Sequence, residues 1–184
     1  MSAQPIEVLL VEPDDELAEM IARHAEESLG ARVVHVTTAG QAIASYSARP
    51  PDVVVAEMEL ADRGGLALTR ELRADPCEDA AVLLLSDSPT TGRMIEAMRL
   101  GVRDVFTKPF DLRRLSCVIE QEAREQRRRR GLIRENHRLR RLIKRMVRER
   151  RDLRQRVDLI CRDIVSAYQT LARKVAETHA KCSD

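Results

Sequence analysis

The chain has 184 residues, of which 43% are apolar and only 2% aromatic, and it contains no tryptophan. This length fits one domain of ordinary size plus an additional segment, with a core of aliphatic side chains. The first residues, MSAQPIEVLL, show no basic stretch before an apolar run, and nowhere does an apolar run continue long enough to cross a bilayer. We therefore expect a cytoplasmic protein with no membrane partner.

The net charge of +2 conceals three segments of different charge. Residues 1–112 contain 10 Lys and Arg against 20 Asp and Glu, residues 113–156 contain 18 against 6, and residues 157–184 contain 4 against 4. The chain thus has an acidic part, a basic stalk and a neutral tail. Four cysteines show neither paired spacing nor a nearby histidine cluster, so we expect reduced thiols and no metal site at Cys77, Cys117, Cys161 and Cys182.

Apolar runs rich in β-branched residues alternate with stretches of helical spacing through the acidic part. The runs lie at 6–11, 32–36, 52–56, 81–85 and 102–107. Between them, apolar residues recur at helical intervals, as at Leu17, Met20, Ile21, His24 and Ala25, at Leu66, Leu68 and Leu72, and at Met94, Ile95 and Met98. Short apolar strands alternating with helices predict an α/β fold, with a five-stranded, doubly wound parallel sheet covered on both faces.

Polar side chains follow four of the five predicted strands. In chain order they are Glu12, Asp14 and Asp15 with Pro13, then Glu57, then Ser86, and finally Thr107 and Lys108 before Pro109 and Phe110. Because the carboxyl ends of parallel strands meet at one edge of a sheet, we expect these groups to converge there. No other set of reactive side chains stands out, so we do not expect an enzyme.

The segments VLLVEPDDE, DVVVAEMELADRGG, VLLLSD and GVRDVFTKPF, in this order and spacing, resemble the receiver domain of two-component response regulators. The resemblance covers residues 5 to 120 and implies a flavodoxin-like sheet with strand order 2-1-3-4-5. It also implies phosphorelay signalling, in which two acidic residues after the first strand hold Mg²⁺ and an aspartate ending the third strand accepts a phosphoryl group from a histidine kinase. A Ser or Thr and a Lys before a cis proline then hold the product.

Four positions match this pattern, and four depart from it. Glu12 corresponds to the first acid, Ser86 to the hydroxyl, Lys108 to the lysine and Pro109 to the cis proline. Three of the departures are Pro13 in place of the second acid, Glu57 in place of the acceptor aspartate, and Val105 in place of the aromatic residue of the family's switch. A further difference is Ala61, where the family usually has proline, although Gly64 and Gly65 still permit the turn that follows.

These departures predict a receiver that is not phosphorylated. Pro13 removes a metal ligand, so the Mg²⁺ site is expected to be lost and no cofactor is predicted, although Glu12 and Asp14 still form an acidic pocket. Glu57 is longer than aspartate by one methylene, which displaces its carboxylate from the attacking position. We expect this carboxylate to reach toward Lys108, either as a lock on an active-like state or as a remnant without a role. A receiver still phosphorylated at low efficiency is a third, weaker alternative.

The second half of the chain has a different period. Asp111 can cap a helix that starts at Leu112, whose Leu115, Val118 and Ile119 should pack on the sheet. A basic helical linker is predicted at 121–131, a coiled coil at 132–175 and a tail at 176–184. The seam of the coiled coil follows strict 4,3 spacing through Leu132, Asn136, Leu139, Ile143, Met146, Arg150, Leu153, Val157, Ile160, Ile164, Ala167 and Leu171.

This seam predicts a parallel homodimer. Asn136 and β-branched residues at a positions with Leu at d favour two strands, and Glu135–Arg140 and Glu149–Arg154 pairs favour parallel chains. A trimer or a further helical partner remains an alternative, because Arg150 sits in the seam and apolar residues flank it at Ile133, Leu142 and Val147.

Two functions compete on this basis. The first is a dimeric signalling scaffold whose C-terminal helix presents a surface to an unknown protein partner. The second is a nucleic-acid-binding regulator, similar in layout to antitermination regulators, with candidate phosphate-binding side chains at Arg127, Arg128, Arg129 and Arg130. For the whole basic stretch EQRRRRGLIRENHRLRRLIKRMVRERR, residues 125–151, a solvated basic face is the favoured interpretation. Gly131 interrupts any basic-leucine-zipper junction, and Phe, Tyr and Trp for base stacking are absent from the stretch.

Overall fold

The computed structural model describes residues 4–74 and 80–181, with side chains as far as residue 170. Cys77, Cys182 and the side chain of Leu171 lie outside the described residues. Within them, Cys117 and Cys161 are free thiols. No helix in the described part of the chain is both long and apolar enough to span a membrane.

The predicted α/β fold is confirmed. In chain order the elements are β1 (Glu7–Val11), α1 (Asp15–Leu29), β2 (Arg32–Val36), α2 (Ala39–Ala48), β3 (Val53–Glu57), α3 (Gly65–Leu72), β4 (Ala81–Ser86), α4 (Thr91–Arg99), β5 (Asp104–Thr107) and α5 (Leu112–Lys181). The strands form one parallel sheet in the order β2-β1-β3-β4-β5. The sheet order and the long C-terminal helix are therefore those predicted.

The core consists of two apolar layers, one on each face of the sheet. Side chains alternate along each strand, so Leu10 packs with α1 and α5 on one face, whereas Leu9 packs with α2, α3 and α4 on the other. The central strands β3 and β4 are buried along their whole length, and the edge strand β2 is largely exposed. A fully buried sheet centre gives the strand ends a fixed geometry.

Helix α4 differs from the sequence expectation. Met94, Ile95 and Met98 have the predicted helical spacing, but they are 42, 46 and 75% exposed, and the buried residue of this helix is Ala97. A small residue there lets α4 lie close to the sheet, which leaves the larger apolar side chains on the outer side.

Helix α5 begins as predicted and stays with the sheet further than predicted. The Asp111 carboxylate accepts a hydrogen bond from the Arg113 N–H at 2.8 Å at the start of the helix. Leu115 and Ile119 are buried on the sheet. The chain divides into two compact units, Met1–Gly131 and Leu132–Asp184, so the residues interpreted as a linker, 121–131, belong to the first unit.

Candidate functional site

The polar groups predicted to converge do so at the carboxyl edge of the sheet. Glu57 is the last residue of β3 and Ser86 the last of β4, while Glu12 and Lys108 directly follow β1 and β5. The strand register aligns these ends, with Val11 beside Ala56, Glu57 beside Leu85 and Ser86 beside Thr107. The side chains of Glu12, Glu57 and Ser86 are almost completely buried.

Lys108 lies between two carboxylates. Its Nζ donates a hydrogen bond to Glu12 Oε2 at 2.9 Å and lies 2.6 Å from Glu57 Oε2. The second contact is a short ion pair between the ammonium group and a buried carboxylate oxygen. One ammonium group thus faces two buried carboxylates.

The surroundings of Lys108 favour its charged form. Burial of the side chain by itself would lower the pKa of Lys108, but the carboxylates of Glu57 and Glu12 outweigh this effect and raise the pKa above its ordinary value of 10.5. The ammonium group is therefore charged over the whole physiological range.

The other oxygens of the two carboxylates are held by the chain itself. Glu12 Oε1 accepts the N–H of Asp14 at 3.1 Å, and Glu57 Oε1 accepts the N–H of Glu59 at 3.1 Å. Each carboxylate is therefore fixed both by its own loop and by Lys108. Such double anchoring leaves little freedom for either side chain to move toward a reactant.

Asp14 does not join the pocket as a charge partner of Lys108. Its Oδ1 accepts the N–H groups of Glu16 and Leu17 and caps α1, and the side chain is exposed. Pro13, also exposed, has no ligand atom in its side chain. A divalent cation requires several oxygen ligands. Here Glu12 Oε2 accepts a hydrogen bond from Lys108, and Asp14 Oδ1 caps the start of α1. With Pro13 in place of an acid, these side chains do not fit the Mg²⁺ site that the family resemblance implies. Among the described residues, no group of three His, Cys, Asp or Glu side chains is arranged to hold a metal ion.

The remaining predicted positions lie around this ion-pair cluster. Ser86 is buried and its Oγ has no hydrogen-bond partner in the described structure. The Lys108–Pro109 peptide bond is cis. Val105 is half-buried and packs on the core layer of α2, α3 and α4.

Two glycines bring the loop after β3 close to Glu57. Gly64 has φ of +71°, and a Cβ at Gly65 would lie 2.5 Å from the backbone oxygen of Glu57. The Gly65 N–H donates to the Met58 oxygen at 2.9 Å. A side chain at Gly65 would collide with the Glu57 backbone oxygen. Glycine at this position therefore allows the loop to pack directly against the end of β3.

The opposite, amino-terminal edge of the sheet holds a cluster that sequence reasoning missed. Asp52 is buried just before β3, and its Oδ2 accepts Arg127 Nε and Nη2 at 2.9 and 2.6 Å. Arg130 lies 3.6 Å from the other oxygen of Asp52 and donates to the Pro51 oxygen at 2.8 Å. Two of the four arginines considered for phosphate binding are thus held within the first unit. The available signal was an aspartate at the start of a wholly apolar strand, which requires a partner.

Known proteins share this fold and parts of this sequence. Residues 8–120 match the response regulator receiver domain family. The chain is similar to the probable transcriptional regulatory protein TcrX of Mycobacterium tuberculosis, with 35% identity over 112 residues, covering 59% of this chain and 46% of TcrX. It is also similar to the C4-dicarboxylate transport transcriptional regulatory protein DctD of Rhizobium meliloti, with 32% identity over 142 residues, covering 77% of this chain and 29% of DctD. The chain spans less than half the length of these two relatives.

Solved structures agree with the fold assignment. The signal receiver domain of a signal transduction histidine kinase from Syntrophus aciditrophicus has a TM-score of 0.60 at 25% identity and covers 65% of this chain and 90% of its own. The signal receiver domain of an HD domain-containing protein from Pseudomonas fluorescens has a TM-score of 0.65 at 20% identity, covering 71% of this chain and 96% of its own. The family match extends over more than half of the chain and coincides with the five-stranded unit. The chain therefore belongs to the response regulator receiver domain family of two-component signalling.

Proposed function

We propose that this response regulator does not use phosphorylation and that Glu57 supplies a permanent negative charge at the phosphoacceptor position. The observation that carries the proposal is the 2.6 Å contact between Glu57 Oε2 and Lys108 Nζ. In the receiver family the lysine at this position holds the phosphoryl group. Here a carboxylate of the chain already neutralises that lysine.

The chemistry of phosphoryl transfer supports this interpretation. An attacking carboxylate oxygen must approach phosphorus to about 3–3.5 Å with correct alignment, and a divalent cation must neutralise the phosphoryl oxygens. Both oxygens of Glu57 are engaged, by Lys108 and by the Glu59 N–H. Pro13 occupies the position of the acid that would complete the metal site. These contacts and the proline support the proposal that the natural chain does not carry out phosphoryl transfer.

The output is proposed to be a dimeric scaffold. Apolar side chains at the predicted a and d positions of α5 are exposed in the single chain, including Leu132 at 60%, Met146 at 67% and Leu153 at 61%. An exposed apolar stripe of this kind, interrupted at Asn136 and Arg150, needs a partner. Its 4,3 spacing suits a second copy of the same helix. The dimer would carry two receivers and present its C-terminal helices to a protein partner.

One observation favours a second candidate, a receiver that still accepts a phosphoryl group slowly. The buried Ser86 Oγ has no hydrogen-bond partner in the described structure, and a buried hydroxyl without a partner is a group that a bound anion can satisfy. Residual phosphorylation would use this hydroxyl as the family does. The experiment that follows separates the two candidates.

Intact-mass spectrometry after incubation with acetyl phosphate and Mg²⁺ tests the proposal. We expect no phosphoryl adduct on the natural chain and a clear adduct on the variant carrying both Pro13→Asp and Glu57→Asp. Glu57→Asp alone, which leaves Pro13 in place, is the matched control and should gain much less. An adduct on the natural chain that disappears in Glu57→Gln would establish the second candidate instead.

A further inference from the structure

One face of α5 is entirely basic over five helical turns. At heptad positions b, c and f, which point away from the seam, residues 134–151 carry seven Arg or Lys, one His and no acid. We call this set the basic outer face; its members are Arg134, His137, Arg138, Arg141, Lys144, Arg145, Arg148 and Arg151. All of these side chains are exposed, and Arg145 forms an exposed ion pair with Glu149 one turn away.

The same helix shows that a coiled coil does not need such a face. The next eight b, c and f positions, between residues 152 and 169, carry one basic and two acidic side chains. They are Asp152, Gln155, Asp158, Leu159, Arg162, Val165, Ser166 and Gln169. Solubility requires charge of either sign, so the restriction of one sign to residues 134–151 calls for a different explanation.

The basic outer face also opposes assembly. Residues 132–156 contain 11 Lys and Arg against 3 Asp and Glu, a net charge of +8. In the parallel dimer, on which this step rests, the two segments lie side by side and repel each other. A bound polyanion would offset this repulsion.

The composition of the face selects the kind of polyanion. It contains no apolar side chain and no Phe, Tyr or Trp, so it lacks the apolar centre of a protein interface and the inserting residues of a membrane surface helix. Six of the seven cations are arginines, whose planar fork suits phosphate. Residues 134–151 extend about 26 Å, which gives one cation per about 4 Å, close to the one phosphate per about 3.4 Å of a DNA strand.

We infer that the basic outer face of α5 binds the phosphate backbone of nucleic acid without reading its sequence. The absence of Phe, Tyr and Trp from the face, which leaves His137 as its one ring, argues against an extended platform for base stacking. Duplexes of unrelated sequence should therefore bind alike. Arg127 and Arg130, which pair with Asp52, are not part of this surface.

Fluorescence anisotropy with the full-length chain tests this inference. The probes are two labelled DNA duplexes of unrelated sequence and one single-stranded RNA, titrated from about 50 mM to 200 mM salt. The test variant changes Arg134, Arg138, Arg141, Arg145 and Arg148 to Gln. The matched control removes the same charge from exposed receiver arginines, with Gln at Arg23, Arg32, Arg63, Arg70 and Arg99.

We expect the natural chain to bind both duplexes equally, with a dissociation constant near physiological salt of about 10⁻⁶ to 10⁻⁴ M and a salt slope of about −0.9 per phosphate contact. The test variant should lose at least about tenfold in affinity and most of the slope, while the control should change by less than about threefold. Stronger binding of the RNA than of the duplexes would assign the same phosphate chemistry to a single strand.

Three results would overturn the inference: no binding at the lowest salt, equal losses in the test variant and the control, or binding of polyglutamate or anionic lipid vesicles as tight as that of the duplexes. Sedimentation of the same samples tests the proposed dimer independently of the proposed binding to nucleic acid. A monomer that binds DNA would contradict the proposed scaffold alone, whereas a dimer that does not bind would contradict this inference alone.

Discussion

At the scale of single residues, Lys108 supplies the positive charge that compensates the buried carboxylates of the site. Among the described residues, it is the cation that lies between the buried carboxylates of Glu12 and Glu57. Because the pKa of Lys108 is raised in the folded chain, its contribution to stability is complete below the ordinary value of 10.5. The contribution is lost only as the pH rises through the raised value. The charge of Lys108 is thus insensitive to pH under physiological conditions.

Removing one carboxylate should lower the pKa of Lys108. We expect Glu57→Gln to leave only Glu12 as a counter-charge, so that burial of the ammonium group is less well compensated. The chain has four lysines, at 108, 144, 174 and 181, so an NMR titration of labelled lysine side chains can resolve this residue. Glu59→Gln is the matched control, because its exposed carboxylate pairs with Arg93 and not with Lys108. An equal pKa in both variants would show that Glu57 does not stabilise the ammonium group.

Sequence reasoning went furthest at the residues that end strands. The positions of Glu57, Ser86 and Lys108 followed from the apolar runs, since parallel strands bring their carboxyl ends together. The role of Asp14 did not follow, because a carboxylate at a helix start can serve either as a cap or as a ligand. Only the backbone geometry, with Oδ1 on the N–H groups of Glu16 and Leu17, decides between them.

At the scale of elements, an anchor joins α5 to the start of the sheet. Arg127 binds the buried Asp52 carboxylate with two nitrogens and the Gln4 oxygen with a third, at 2.8 Å. These residues are 75 and 123 positions apart in the sequence. The position of Asp52 before an apolar strand indicates that it needs a partner, but a run of four arginines gives no indication of which members turn toward the domain, so the partner could not be identified from the sequence.

Breaking the anchor should destabilise the first unit. Arg127→Gln leaves the Asp52 carboxylate buried with a weaker partner, and we expect a loss of about 2 kcal/mol. Amide hydrogen exchange of β1 and β3 in the full-length chain measures this loss as faster exchange. Arg128→Gln, a substitution at the exposed neighbouring residue, should change the free energy of opening by less than about 0.5 kcal/mol. Equal effects of the two substitutions would mean that the anchor adds nothing to stability.

At the scale of the whole molecule, the change of hydrophobic period predicted a coiled coil but not where the receiver ends. Helix α5 continues through the boundary, and the 4,3 spacing becomes regular only from Leu132. Ala123 and Gln126 are buried within the first unit, yet in the sequence they lie among exposed charged residues and look like linker. Burial against a distant sheet is not visible in local spacing, which is why the predicted boundary at 120 precedes the observed one at 131.

Sedimentation equilibrium tests the assembly itself. We expect the full-length chain to be a dimer at micromolar concentration, held by the seam from Leu132 to Leu171, and a chain ending at Gly131 to be a folded monomer. Asn136 should face its counterpart across the axis and restrict the assembly to two strands at a cost in stability. Asn136→Leu should therefore raise the midpoint of thermal unfolding of α5 while allowing trimers to form. Gln155→Leu, at an outward position of the same helix, is the matched control and should leave the dimer unchanged. A monomeric full-length chain, or crosslinks that join position 132 of one chain to position 171 of another, would contradict the parallel dimer.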